Sequence, residues 1–176
     1  SVSNELRTAT RVPLQQLKAG HVPAAALCSK LGHRNCKALR EAKEFNFHNK
    51  GLTADELALL GTLGSVLPAL EKLVLPGGSV LPASPDGVQR LAAGLGAGGL
   101  PSLTELAIVW THVGDVGASA LAAALGQGAL PRLKILDLHE AVIGDAGLVA
   151  LALALRRLPA LEGLDLEGNP LGDEGL

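Results

Sequence analysis

The sequence predicts a curved α/β solenoid, with short parallel strands on the concave side and helices on the convex side. Two observations predict it: a six-residue pattern, LxxLxL, recurs at steps of 28 to 33 residues, and a second shared block with Gly-Asp and apolar residues follows it. A third is the composition, in which hydrophobic residues make up 48% of the chain but aromatic residues only 2%. A core made almost wholly of Leu, Ala and Val suits thin, repeated layers.

The first motif predicts one strand in each unit. Its copies are AKEFNF at 42–47, LEKLVL at 70–75, LTELAI at 103–108, LKILDL at 133–138 and LEGLDL at 161–166. Because side chains alternate along a strand, the fourth and sixth residues share one face, which we expect to be buried.

The second motif predicts a helix after each strand. It consists of GDVGASAL at 114–121, GDAGLVAL at 144–151 and GDEGL at 172–176. The stripe that we expect to be buried on the second helix is formed by Leu148, Leu151, Ala152 and Leu155. Neither a strand nor a helix of this size can bury its apolar face alone, so the units must stack, with right-handed crossovers.

The two motifs resemble the ribonuclease-inhibitor-like class of leucine-rich repeats, whose units follow the pattern LxxLxLxxNxIGDxGxxxLAxAL. The resemblance covers residues 42–176, as five units of which the last is incomplete. It implies a horseshoe-shaped solenoid. Residues 1–41 predict either a degenerate repeat or, as we favour, a helical N-terminal cap.

The asparagine at the ninth position of the family pattern is present only as Asn169. Lys50, Gly78, Thr111 and Ala141 take its place in the other units. We therefore expect looser turns through most of the chain. The loop at 76–85 is longer than its counterparts, and it is either a tolerant surface loop or a binding edge.

The aspartates of the Gly-Asp pairs are interpreted as helix caps. Asp115, Asp145 and Asp173 each precede a helical run, where an N-cap side chain is expected. The segment 53–56, TADE, fits a capping box, and Ser84 before Pro85 fills the same position.

Composition excludes several classes of function. A net charge of −2 and a pI near 6.2 give no electrostatic footprint for nucleic acid. The longest apolar run, 146–155, is too short to span a bilayer. Two cysteines do not form a disulfide scaffold, which favours an intracellular, cytoplasmic protein. The start at Ser1 without Met predicts processing or a fragment of a longer product. The incomplete last unit predicts that the natural chain continues or that a partner covers the C-terminal end.

No residues are expected to carry catalysis, a metal or a cofactor. His21, Cys28, His33 and Cys36 have a spacing that permits zinc, but no other feature supports a site. The serines lack a nucleophile elbow and the histidines are scattered, so the sequence does not predict an enzyme.

The concave face is the expected binding surface. We define it by the second, third, fifth, seventh and eighth positions of each unit. Its candidate partner-binding residues are Asn46, His48, Trp110, Asp137, His139, Glu140, Asp165 and Glu167. The single Trp is a typical hot-spot residue, although it could also lie flat along a neighbouring turn. The acidic residues either form a solvated strand face or favour a basic partner.

These observations predict a protein-interaction scaffold within a larger protein or assembly. The repeat class also resembles GTPase-activating proteins of the Ran type, and stimulated GTP hydrolysis by a small GTPase would distinguish that alternative. Ribonuclease inhibition fits poorly, because that family is rich in thiols and this chain has two cysteines and few aromatic residues.

Overall fold

The computed structural model describes residues 27–32, 36–48, 50–64, 67–77, 85–96 and 98–172. Strands and helices alternate along these residues. The strands are β1 (Glu44–Asn46), β2 (Lys72–Pro76), β3 (Glu105–Val109), β4 (Ile135–Asp137) and β5 (Gly163–Asp165). The helices are α1 (Cys36–Glu41), α2 (Ala54–Leu63), α3 (Pro85–Leu95), α4 (Gly114–Gly126) and α5 (Asp145–Leu155). Residues 27–31 are also helical.

The five strands form one parallel sheet in the order of the sequence, β1-β2-β3-β4-β5. The predicted register is confirmed, because the fourth residues of the motifs lie opposite one another. These residues are Phe45, Leu73, Leu106, Leu136 and Leu164. The predicted solenoid, with a parallel sheet and a helix after each of the first four strands, is therefore correct.

The core consists of the stacked fourth and sixth strand residues together with helix residues that point towards them. In the first four units the fourth residue is at most 1% exposed. Leu164, at the same position of the last described strand, is 41% exposed. Among the described residues, no helix is long and apolar enough to cross a membrane.

Helix α2 begins with the predicted capping box. The Thr53 side chain accepts a hydrogen bond from the Glu56 backbone N–H, and the Glu56 carboxylate accepts one from the Thr53 backbone N–H. Burial raises the pKa of Glu56, but hydrogen bonds from Lys30 and Thr53 outweigh it, and the net pKa lies below its ordinary value.

One predicted helical stripe is partly wrong. On α5, Leu148 and Leu151 are buried as expected, but Ala152 is exposed and Ala154 is buried in its place. The helix is apolar on all sides, so its composition does not distinguish the buried face from the exposed one.

The capping role predicted for the aspartates is also wrong in its direction. Helix α4 already includes Gly114 and Asp115, and the N-cap residue of α5, Gly144, has no side-chain cap. Instead, the Asp115 carboxylate accepts hydrogen bonds from the backbone N–H groups of Gly144 and Gly147, at 2.7 and 3.0 Å. Asp115 therefore binds the next unit and does not cap its own helix.

Asp145 repeats this arrangement one unit later by accepting a hydrogen bond from the Gly172 N–H at 2.8 Å. The interaction also explains the second glycine of the motif. A Cβ on Gly147 would lie 2.7 Å from an Asp115 oxygen and 2.8 Å from an Ile143 methyl carbon. Asp173 and Ser84, for which caps were also predicted, lie outside the described residues.

Asn169 joins the last two units through its side-chain amide. Its oxygen accepts from the backbone N–H groups of Ala141 and Ile143, and its NH₂ donates to the carbonyls of Leu138 and Leu166. At the equivalent ninth position one unit before Ala141, the hydroxyl of Thr111 is buried and has no hydrogen-bond partner. The turn there lacks the bonds that Asn169 makes, as the sequence predicts.

We predict that Leu136→Ala lowers the free energy of unfolding by about 2–5 kcal/mol, because it leaves a cavity inside a stacked layer. The control is Leu164→Ala, at the same strand position but partly exposed, which should lose less than half as much. Urea unfolding followed by circular dichroism measures both. Equal losses would contradict the assigned layer.

We predict that Asp115→Ala costs about 1–3 kcal/mol, since two backbone N–H groups at the start of α5 lose their acceptor. Asp145→Ala, which removes the acceptor of one described N–H group, should cost less. Thermal unfolding of the two variants tests the difference. If Asp115→Ala unfolds at the wild-type temperature, the bond between units does not stabilise the fold.

Candidate partner-binding surface

The predicted surface is built by the segments that leave the C-terminal ends of the strands. The eighth residue of a unit lies in the turn there, and three successive units hold it in the left-handed backbone region. Its φ is 52° at Trp110, 51° at Glu140 and 71° at Gly168. Glycine adopts this conformation freely, whereas other residues pay about 1 kcal/mol or more. Trp110 and Glu140 therefore adopt a strained conformation at the position where the last unit has Gly168.

Trp110 projects from the surface and does not fill the core. Its side chain is the most exposed aromatic group described, at 55%. The ring meets the imidazole of His139 edge-on, with the ring centres 5.2 Å apart and the planes at 87°. The backbone N–H of Trp110 also donates to the carbonyl of His139, so the two turns are joined.

The backbone at Trp110 also contacts the preceding unit, at Gly77. A Cβ added to Gly77 would lie 1.4 Å from the carbonyl oxygen of Trp110, so this position accepts only glycine without a shift of the backbone. The Gly77 N–H donates to the carbonyl of Val109. The backbone that carries Trp110 is thus fixed by both neighbouring units.

The fifth residue of three units holds the start of its own turn. The side-chain oxygens of Asn46, Asp137 and Asp165 accept hydrogen bonds from the backbone N–H two residues later, at 2.9, 3.1 and 2.9 Å. This role was not predicted from the sequence. The signal is Asn or Asp two residues before the turn, the usual composition of an Asx turn.

The structure brings together most of the predicted site residues. Asp137 Oδ1 lies 2.8 Å from His139 Nδ1, and one ligand atom from each of Asp137, His139 and Asp165 lies within 4.8 Å of the others. Glu140 and Glu167 belong to the same two units, and the N–H of Glu140 donates to the Glu167 carbonyl. These residues and Trp110 form what we call the acidic patch.

Asn46 and His48 are not part of this patch. They lie at β1, and the sheet order places β2 and β3 between them and β4. At about 4.8 Å per strand, roughly 14 Å separates β1 from β4. The predicted set of eight residues is thus a cluster of six and a separate pair.

Part of the predicted concave face is buried. Ala107 and Val109 are 5% and 7% exposed, although the fifth and seventh positions were expected to face outward. Ala107 lies in register between Val74 and Asp137, and these larger neighbours cover its small side chain. From β3 to β5, the exposed surface therefore begins at Trp110, whereas Asn46 and His48 are exposed separately at β1.

Charge is distributed unevenly along the sheet. Near the N-terminal ends of the strands, carboxylates are neutralised by lysines of adjacent units. The cross-strand pairs there are Lys43–Glu71, Lys72–Glu105 and Lys134–Glu162. Within the described ranges, Asp137, Glu140, Asp165 and Glu167 form no ion pair with Lys or Arg, and His139 is their one ionisable partner.

The side chains of Asp137, His139 and Asp165 offer the ligand types that divalent cations bind. No metal was expected from the sequence. Exposed carboxylates with a histidine do not by themselves specify a metal site. The earlier zinc candidate has His21 and His33 outside the described residues.

Comparison with known families agrees with this architecture. A leucine-rich repeat family model matches residues 99–122, 130–152 and 159–176. These matches cover the units that begin with β3, β4 and β5 and contain the acidic patch. No curated protein matches the chain. The fold is a leucine-rich-repeat solenoid, and repeats of this kind generally mediate protein–protein interaction.

We predict that Trp110→Gly is more stable than Trp110→Ala by about 1 kcal/mol, because glycine relieves the left-handed strain that alanine retains. Both variants lose the contact with His139, so the difference isolates the backbone. Urea unfolding followed by circular dichroism measures it. Equal stability of the two variants would show that the turn relaxes and stores no strain.

Proposed function

We propose that the chain is a protein-recognition module whose concave face binds a protein partner at the acidic patch, which includes Trp110. The observation that carries the proposal is Trp110 itself. It is a large aromatic side chain that is 55% exposed and held by a strained backbone, at a position where two other units have glycine. Exposed Trp with a polar rim is the composition of a protein-binding hot spot.

We also propose that the repeats are of the ribonuclease-inhibitor-like subtype. The Gly-Asp-x-Gly motif and its hydrogen bonds between units support this assignment. We also propose an intracellular, cytoplasmic location, on the evidence of only two cysteines. The described surface gives no arrangement of a nucleophile with a base, and no observation favours a GTPase-activating role.

The proposal predicts that Trp110→Ala weakens partner binding by about 30-fold or more, the loss that a hot-spot residue causes. The partner is first obtained by affinity capture with the wild-type chain and identified by mass spectrometry. Its Kd is then measured by calorimetry for the wild type and for each variant.

Leu153→Ala provides the matched control, since this side chain is 65% exposed on the convex helix α5. It should leave the Kd unchanged. Weakening by Leu153→Ala with none by Trp110→Ala would move the binding site to the convex helices.

A further inference from the structure

We propose that the acidic patch recognises an arginine side chain of the partner, with the guanidinium between the Trp110 ring and the carboxylates of Asp137 and Asp165. This inference rests on the proposed function and names the chemistry of the partner at that site. Three observations carry it: the unpaired charge, the spacing of the two aspartates, and the exposed aromatic ring that contacts His139, the partner of Asp137.

The unpaired negative charge of the carboxylates indicates that the partner presents a positively charged group. The described lysines of the sheet lie near the strand starts, where Lys72 and Lys134 bind Glu105 and Glu162 at 2.6 and 2.7 Å. Nothing in the described ranges supplies a lysine or arginine to the four carboxylates at the other end of the strands. A cationic group from outside is the complement of this surface.

The geometry of the carboxylates favours a planar, forked cation. Asp137 and Asp165 are paired in register on adjacent strands, with oxygens within 4.8 Å of each other. Asp137 and Asp165 each use Oδ1 to hold their own turn, so the second carboxylate oxygen of each has no partner among the described residues. A guanidinium has five N–H donors in one plane and can bond two acceptors at once, whereas an ammonium group is a point charge.

Trp110 supplies the second reason for arginine. The ring contacts His139 edge-on, and more than half of Trp110 remains exposed. Guanidinium groups stack on aromatic faces and keep their in-plane donors for carboxylates. The chain contains one Trp and no Tyr, so its intrinsic fluorescence reports on this ring alone.

The test is a fluorescence titration of the full chain with three blocked peptides that differ at one position, which holds arginine, lysine or citrulline. We expect the arginine peptide to produce a saturable change in Trp110 emission. The lysine peptide should bind about fivefold more weakly, since it lacks the stacking and the fork. The neutral citrulline peptide should show no saturation.

The variant that tests the site is Asp137→Asn together with Asp165→Asn. Asparagine keeps an acceptor oxygen for the turn, as Asn46 does in the first unit, so the fold is retained and circular dichroism verifies it. This double variant should lose the arginine-peptide signal. Asp86→Asn on α3, an exposed carboxylate that pairs with Arg90, is the control and should keep the wild-type Kd.

Four results would overturn the inference. Equal affinity for the arginine and lysine peptides would reduce the site to general charge attraction, and an unchanged signal in the double variant would place the cation elsewhere. Saturable binding of Mg²⁺, Ca²⁺ or Zn²⁺ at these residues, without a preference for arginine, would assign the patch to a metal. If the arginine peptide fails while Trp110→Ala still abolishes partner binding, the proposed function stands and this inference alone falls.

Discussion

The structure depends on the stacking of one leucine layer upon the next at the spacing of adjacent strands. The fourth residues of successive units are paired in register, and in the first four units they are almost fully buried. A strand of three to five residues and a helix of about three turns have no separate core. Each unit is therefore stable only in contact with its neighbour, and the helices, turns and surface residues take their positions from that contact.

Polar bonds between units supplement the leucine stack where the backbone would otherwise lose its partners. Asp115 accepts two N–H groups at the start of the next helix, and Asn169 bonds the preceding turn through both ends of its amide. Such bonds require a fixed distance between units, and the glycine at Gly147 permits it. Thr111, which has no such bonds, lies in the same turn as the strained Trp110. The turn that carries the exposed aromatic ring thus also lacks the bonds that Asn169 makes in the last unit.

The sequence was sufficient for features that depend on residue order alone. Alternation in LKILDL gave the buried face of β4, and the same spacing gave the register with its neighbours. It was not sufficient for features that depend on distances between units. Asp115 is not the N-cap residue that was predicted, because helix α4 already begins at Gly114. Its carboxylate instead accepts hydrogen bonds from the following unit. Ala152 was misassigned because α5 is apolar on every side, and Ala107 because coverage by neighbouring side chains has no signature within one strand.

The candidate site shows the same division. Its members were predicted from their positions in the repeat, and the six residues of the acidic patch, which include Trp110, do lie together. The left-handed backbone at Trp110 and Glu140, the edge contact with His139 and the unpaired carboxylates became visible only in three dimensions. The equivalent Gly168 was a sequence signal of the backbone conformation, since glycine is common where φ is positive.

Our central proposal is that a partner binds where the strands end, on the side of Trp110. Amide hydrogen exchange of the chain with and without its captured partner measures this most directly. Binding should slow exchange in the segments 107–112, 136–141 and 164–169 and leave the exposed convex surface of α4 and α5 unchanged. Slowed exchange on those helices, with none in the three strand-end segments, would contradict the claim.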